Sequence, residues 1–338
     1  MKKIYFGLFS VFCIAIFVMV LLNSATTTSQ LNSRSDTGLA FKHAFSLPLT
    51  HLTKGLSLHA MDYNTDGYID IYVSAQAQQS NQSTSTLLIN HSIGGSDIKF
   101  ALPPNISLPI VLSSARNNSD IESLPANIGT FINNLNISAV IAIYADLDND
   151  ADIDVVLFNE NDHNTQVYEH NATGDFTLLL EFYSLNEQAI LLEDLNNDGL
   201  LDISYITNTE TLKINTFINT SLLAGNYLHL YVHQQNTNQR DQNANIKVFN
   251  RMNVESSLQD SKLLADINIP VNTSNKAFNL PIHISLGNTT SVDAQVSFNK
   301  QTPIRFRDLT TNRTYSLLSD GLIVNGFVSP KAKDNKAQ

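Results

Sequence analysis

The stretch "MDYNTDGYID" at residues 61–70 returns as "ADLDNDADID" at 145–154 and as "EDLNNDGLLD" at 193–202. Numbered from the first aspartate, positions 1, 3, 5 and 9 are Asp62, Asn64, Asp66 and Asp70 in loop 1. They are Asp146, Asp148, Asp150 and Asp154 in loop 2, and Asp194, Asn196, Asp198 and Asp202 in loop 3. Position 6 is Gly67, Ala151 and Gly199. Asp, Asn and Gly are good turn residues, but turn chemistry does not require aspartate at positions 1, 5 and 9 in every copy. Repulsion among Asp146, Asp148, Asp150, Asp152 and Asp154 would oppose folding of loop 2 unless a cation sat among them.

The spacing suits calcium, a hard ion that takes six to eight oxygens in a flexible shell. A tight loop aims side-chain oxygens from positions 1, 3 and 5 at one point. The backbone carbonyl of position 7, from Tyr68, Asp152 or Leu200, adds a ligand, and the aspartate at 9 closes the shell. Glycine at 6 lets the chain turn sharply; Ala151 takes that place in loop 2 with some backbone strain. Magnesium, which demands near-octahedral geometry and keeps its waters, suits the pattern less well. An EF-hand needs glutamate at position 12, where this chain has Val73, Leu157 and Tyr205. The loops therefore read as nine-residue turns between two β-strands.

Each loop lies between apolar stretches, "GLSLHAM" and "IYVSA", "AVIAIYA" and "VVLFN", "QAILLE" and "ISYIT". A third strand-like element follows in "STLLINHSIGG", "NTQVYEHNATGDF" and "ETLKINTFIN", so the unit is strand, acidic loop, strand, turn, strand. Loops 1 and 2 are separated by an insertion, "ALPPNISLPIVLSSARNNSDIESLPANIG", which is either a surface excursion or a degenerate unit. The signals from about residue 40 onward are those of an all-β chain. Residues 40–222 form the repeat region, 223–326 a separate β-domain without acidic loops, and 327–338 a disordered tail.

At the amino terminus, two lysines precede an uncharged run from Ile4 to Leu22, the pattern of an export signal. That run is also just long enough to cross a bilayer. Residues 1–25 are thus either a cleaved signal or a membrane anchor, and 26–39 a polar linker; either way the rest of the chain is expected outside the cytoplasm. The single cysteine, Cys13, lies in the apolar run, which leaves the exported part without disulfides.

The segment "GLSLHAMDYNTDGYIDIYVS" and its two counterparts resemble the FG-GAP/VCBS-like repeat, whose core is D-x-[DN]-x-D-G-x-x-D ahead of a strand. The resemblance implies that each repeat is a β-propeller blade whose loop binds calcium, as in integrin α-chain heads. Closed propellers have about four to eight blades and three units are legible here. Either the insertion and the carboxy-terminal region supply more, or the repeats form an open arc. Residues 223–326 are similar to the ASPIC/UnbV domain through "NQRDQNANIKVF" and "LPIHISLGNTTSVDAQVSF", with Asn243 where that family has glycine and Phe298 where it has tryptophan.

A formal net charge of -11 argues against nucleic-acid binding, which needs a basic footprint. The chain shows no G-x-S-x-G, P-loop, G-x-G-x-x-G or H-E-x-x-H motif. His229 and His233 in "HLYVH" lie about 13 Å apart at strand rise, too far to chelate one metal, and read as surface residues. The expectation is an exported, calcium-binding, non-catalytic repeat protein that acts as an adhesion or scaffold module toward an extracellular protein or glycan. The alternative is a propeller-type polysaccharide lyase or other carbohydrate-active enzyme. A further alternative is a structural accessory to a membrane-bound complex, attached through residues 4–22.

Overall fold

Each acidic loop is the corner of a β-hairpin, and its ninth residue is the first residue of the outgoing strand. In loop 1, strand β2 (Leu56–Met61) pairs antiparallel with β3 (Asp70–Ala75), with Met61 opposite Asp70. In loop 2, β6 (Val140–Ala145) pairs with β7 (Asp154–Asn159), with Ala145 opposite Asp154. In loop 3, β10 (Ile190–Glu193) pairs with β11 (Asp202–Thr207), with Glu193 opposite Asp202. Position 12 falls inside the second strand each time, as Val73, Leu157 and Tyr205, all buried.

The computed structural model describes residues 39–49, 52, 56–64, 66–75, 85–92, 98–101, 126–135, 140–171, 173–221, 225–233, 244–250, 262–268, 280–298 and 302–326. The export segment and most of the linker, at 1–38, the bulk of the insertion, at 102–125, and the tail, at 327–338, lie outside them. No helix among the described residues is long and apolar enough to cross a membrane.

The described residues form five four-stranded sheets. The repeat unit has four strands, one more than its sequence suggests. β4 (Thr86–Asn90) and the short β5 (Phe100–Ala101) complete the first sheet, in the order β2-β3-β4-β5. β8 (Asn164–His170) and β9 (Phe176–Tyr183) complete the second, in the order β6-β7-β8-β9. In the third sheet, β12 (Lys213–Asn219) is followed not by the next segment of chain but by β1 (Phe41–Pro48), from the amino-terminal end of the described residues. β1 runs antiparallel to β12, Phe41 opposite Asn219, with a bulge between His43 and Phe45. Strand alternation alone could not reveal this, because an outer strand carries no label for its partner.

The third sheet lies between the other two. One of its faces presents Leu191, Ile206, Ile214 and Ile218 to Leu56, Leu58, Ile71, Val73 and Leu88 of the first sheet. The other presents Leu192, Ile203, Tyr205 and Phe217 to Val156, Phe158, Val167 and Phe182 of the second, with the Phe182 and Tyr205 ring centroids 4.2 Å apart. Period-two alternation gives each strand two apolar faces, and burying each large side chain stabilises by about 1.5–3 kcal/mol.

The helix α1 (Ala126–Asn134) overlaps the end of the insertion and departs from the all-strand expectation for this region. It packs Ile128, Phe131 and Ile132 onto the outer face of the second sheet, against Val155, Leu157 and Tyr168.

The carboxy-terminal region does not add blades. β13 (Asn226–His233), β16 (Ile282–Gly287), β19 (Arg313–Leu318) and β20 (Ile323–Asn325) form one sheet, in the order β16-β13-β19-β20. β14 (Asn245–Asn250), β15 (Leu263–Asn268), β17 (Ser291–Ser297) and β18 (Ile304–Thr310) form another, in the order β15-β14-β17-β18. They enclose one shared core that includes Leu228, Leu230, Ile246, Val248, Val292, Val296, Phe306 and Leu317, so the region is a β-sandwich. β13 and β19 pair in parallel, unlike the described strand pairs of the repeats, which are antiparallel.

Candidate metal centre

The three loops share one hydrogen-bond pattern. The carboxylate at position 9 accepts two backbone N–H groups, one from position 2 of its own loop and one from the end of the sheet's third strand. Asp70 accepts from Tyr63 at 2.8 Å and Asn90 at 2.7 Å. Asp154 accepts from Leu147 at 2.8 Å and His170 at 2.8 Å. Asp202 accepts from Leu195 at 3.0 Å and Asn219 at 2.9 Å. The carboxylate at position 1 accepts from the N–H of position 6: Asp62 from Gly67, Asp146 from Ala151, Asp194 from Gly199. The carboxylate at position 5 accepts from the N–H of position 7: Asp66 from Tyr68, Asp150 from Asp152, Asp198 from Leu200. These bonds wind the chain around its own acid groups, and a carboxylate oxygen holding one N–H still has a lone pair for a cation.

Position 3 separates the loops. Asn64 and Asn196 donate their side-chain N–H to Asp66 and Asp198, each at 2.8 Å. Asp148 carries no amide N–H to donate, and burial first, then the like charges of Asp150 and Asp146, raise its pKa. The sixth residue is left-handed in all three loops, with φ of 88° at Gly67, 77° at Ala151 and 93° at Gly199. Ala151 therefore adopts the strained backbone anticipated for it.

The electrostatics point one way. Burial pushes Asp62 up to about 6, with backbone N–H groups opposing the shift and the nearby Asp66 and Asp70 adding to it. Burial likewise pushes Asp146 to about 7, Asp148 to about 7, Asp154 to about 8 and Asp194 to about 7. Asp70 is raised, and Asp202, fully buried, is raised well above the ordinary carboxylate range. Among the described residues, no cationic side chain contributes to any of these shifts. His229 Nε2 stands 3.6 Å from Asp194, but burial and then His283 push its pKa down to about 3, so it is neutral there. Buried charges are otherwise paired or coordinate metals.

The donor set fits a divalent cation. Asp146, Asp148 and Asp154 each offer an oxygen, and these oxygens all lie within 4.8 Å of one another. Oxygens that share one calcium at 2.3–2.6 Å stand no more than about 5 Å apart. Among the described residues, Oδ1 of Asp146 is buried without a hydrogen-bond partner. Of the residues the sequence singled out, Asp62, Asp70, Asp148, Asp154, Asp194, Asn196, Leu200 and Asp202 are buried, whereas Asn64, Asp66, Asp150 and Asp198 line the exposed side. Tyr68, Asp146 and Asp152 are intermediate.

Two further features had no reading in the sequence, and one reading is corrected. Asn90 bridges the first and third sheets, its Nδ2 donating to Ile69 O and, at 2.7 Å, to Leu195 O in loop 3. Asn219 does the same between the third and second sheets, donating to Leu147 O in loop 2 at 2.6 Å. The parallel strings "INHS" and "INTS" carry the signal, since Ser92 and Ser221 both donate to the asparagine Oδ1. His229 is not a surface residue: it is 4% exposed, and its Nε2 stands 2.9 Å from His283 Nδ1. The side chain of His233 lies outside the described residues.

Residues 146–205, from the start of loop 2 to the middle of β11, match the FG-GAP-like repeat family. No curated protein matches the chain.

Proposed function

We propose that the three acidic loops are calcium sites and that the chain is an exported, non-catalytic binding module whose repeats calcium stabilises. The observation that carries this reading is the set of buried carboxylates in each loop with no cationic partner among the causes of their shifts. The match of residues 146–205 to the FG-GAP-like repeat supports it, as does the same winding of the chain in loops 1 and 3.

In the proposed sites the carboxylates at positions 1, 3, 5 and 9, with the amides of Asn64 and Asn196, supply the oxygens, and the carbonyls of Tyr68, Asp152 and Leu200 complete the shell. Bound calcium supplies the positive charge that lets these acids ionise inside the fold. With Kd on the order of 10⁻⁴–10⁻³ M, as in extracellular modules, millimolar calcium adds about 0.4–1.4 kcal/mol per site. The cytoplasm would leave such sites empty, which agrees with export through residues 1–25. We read the sandwich as a divergent ASPIC/UnbV-like domain; Phe298, where that family has tryptophan, is buried in its core. The partner is an extracellular protein or glycan.

Thermal melting of the purified chain in millimolar calcium and then in excess chelator tests the reading. A higher melting temperature with calcium is expected, and titration calorimetry should count three sites. Identical melting curves together with no heat of binding would overturn it.

A further inference from the structure

Loops 2 and 3 do more than fold back on themselves: the carboxy-terminal sandwich is seated on them. Asn149, at position 4 of loop 2 with φ of 62°, is the hub. Its Nδ2 donates to Gly199 O in loop 3 at 2.7 Å. Its Oδ1 accepts from the Ser285 hydroxyl at 2.8 Å and stands 3.0 Å from His283 Nε2. One asparagine therefore joins both loops to β16.

The backbones are equally close. Gly225 N donates to Asp148 O at 2.9 Å, and a β-carbon on Gly225 would stand 1.7 Å from Asn149 O. A β-carbon on Gly287 would stand 3.1 Å from the Ala151 side chain. The alanine that replaces glycine in loop 2 is thus held in its strained conformation directly against the end of β16. In loop 3, the Tyr227 ring covers Gly199, and His229 approaches Asp194. Loop 1 differs: Tyr63, Asn64 and Asp66 are exposed, and the hydrogen bond that reaches it from another loop comes from Asn197 of loop 3.

We infer that the sandwich and the repeats meet at a calcium-dependent joint, in which filling loops 2 and 3 seats the sandwich and the seated sandwich strengthens binding at those two loops. This inference rests on the calcium reading above. The physical reason is that groups bonded to a metal's ligands orient them and tune affinity. Gly225 bonds the backbone of Asp148 and His229 stands beside Asp194, both proposed ligands, while Asn149, Ser285, His283 and Tyr227 fix the turns that carry the ligands, in loops that repel themselves while empty. Coupling between two binding events is reciprocal, so whatever factor the seating adds to calcium affinity, calcium adds to the seating. The chemistry asks for the cation alone.

Hydrogen exchange on the full chain, with calcium and with chelator, reads the joint directly. Calcium is expected to slow exchange at least tenfold in β13 and β16 as well as in loops 2 and 3. Protection of the loops with β13 and β16 unchanged would overturn the joint while leaving the calcium sites in place. No protection anywhere would remove the calcium reading, and the joint with it. In titration calorimetry, the double variant Tyr227→Ala/His283→Ala should weaken two of three sites about tenfold and leave the third as it was. Three sites with wild-type affinity in the folded variant would also overturn the joint. If the variant fails to fold, the exchange measurement on the unaltered chain decides.

Discussion

The ring of Tyr227 lies across Gly199 so closely that a β-carbon on the glycine would stand 1.9 Å from its Cε1. Gly199 also holds φ at 93°. Gly199→Ala thus meets two penalties, a left-handed backbone and a collision with a ring held against loop 3. A loss of about 2–4 kcal/mol is expected, measured by urea unfolding. Gly174 has nearly the same φ, 88°, but nothing within 4 Å of a β-carbon. Gly174→Ala should therefore cost only about 1 kcal/mol.

The buried carboxylates make the metal-free protein sensitive to base. Asp62, Asp146, Asp148, Asp154 and Asp194 have folded-state pKa values of about 6, 7, 7, 8 and 7, above the 3.8 of an ordinary aspartate. For acids shifted upward, the folded state binds protons more tightly, so the contribution to stability is complete below about pH 4 and is lost as pH rises through 6 to 8. In chelator, the melting temperature should fall steadily from pH 5 to pH 8. Saturating calcium favours the ionised forms, so the same scan should be flatter. A metal-free melting temperature that is constant over this window would contradict the burial of these groups.

Asn219 binds loop 2 to the third sheet through Leu147 O and Leu201 O, and is fully buried. Asn219→Ala removes both bonds and strands a buried carbonyl, for an expected loss of about 1–3 kcal/mol in equilibrium unfolding. Asn90→Ala should behave alike, since Asn90 links Ile69 O and Leu195 O. Asn245→Ala, at the start of β14 with its amide in exposed hydrogen bonds to Asp266 and Asn268, should change stability by no more than about 0.5 kcal/mol.

The same two asparagines open the acceptor sequences Asn90-His91-Ser92 and Asn219-Thr220-Ser221. Both amides are engaged inside the protein, so a glycan on either is incompatible with the fold. Peptide mass spectrometry of folded material secreted by a glycosylating host should find both sites bare. Modification of either in well-folded protein would contradict the bridges between the sheets.

Much of this was written locally. Short apolar runs rich in β-branched and aromatic residues mark both strands of every hairpin, and aspartate at positions 1, 5 and 9 marks the loop between them. Both are short-range properties that the backbone period imposes on neighbouring residues. The winding of the loops and the left-handed sixth residue follow from the same spacing, including the strain at Ala151. The helix Ala126–Asn134 was not legible, because its apolar face is short and answers to the outer side of the second sheet.

Pairings between distant segments were decided by packing alone. β1 joins β12 because an open sheet edge must be met by some strand, and nothing in "FKHAFSLP" names which. His229, ordinary in a strand pattern, is buried because the sandwich rests on loops 2 and 3. The sequence by itself determined where the acid groups gather and what kind of strands flank them. Only the tertiary structure decided which loops are covered, since that depends on two surfaces far apart along the chain excluding water from between them.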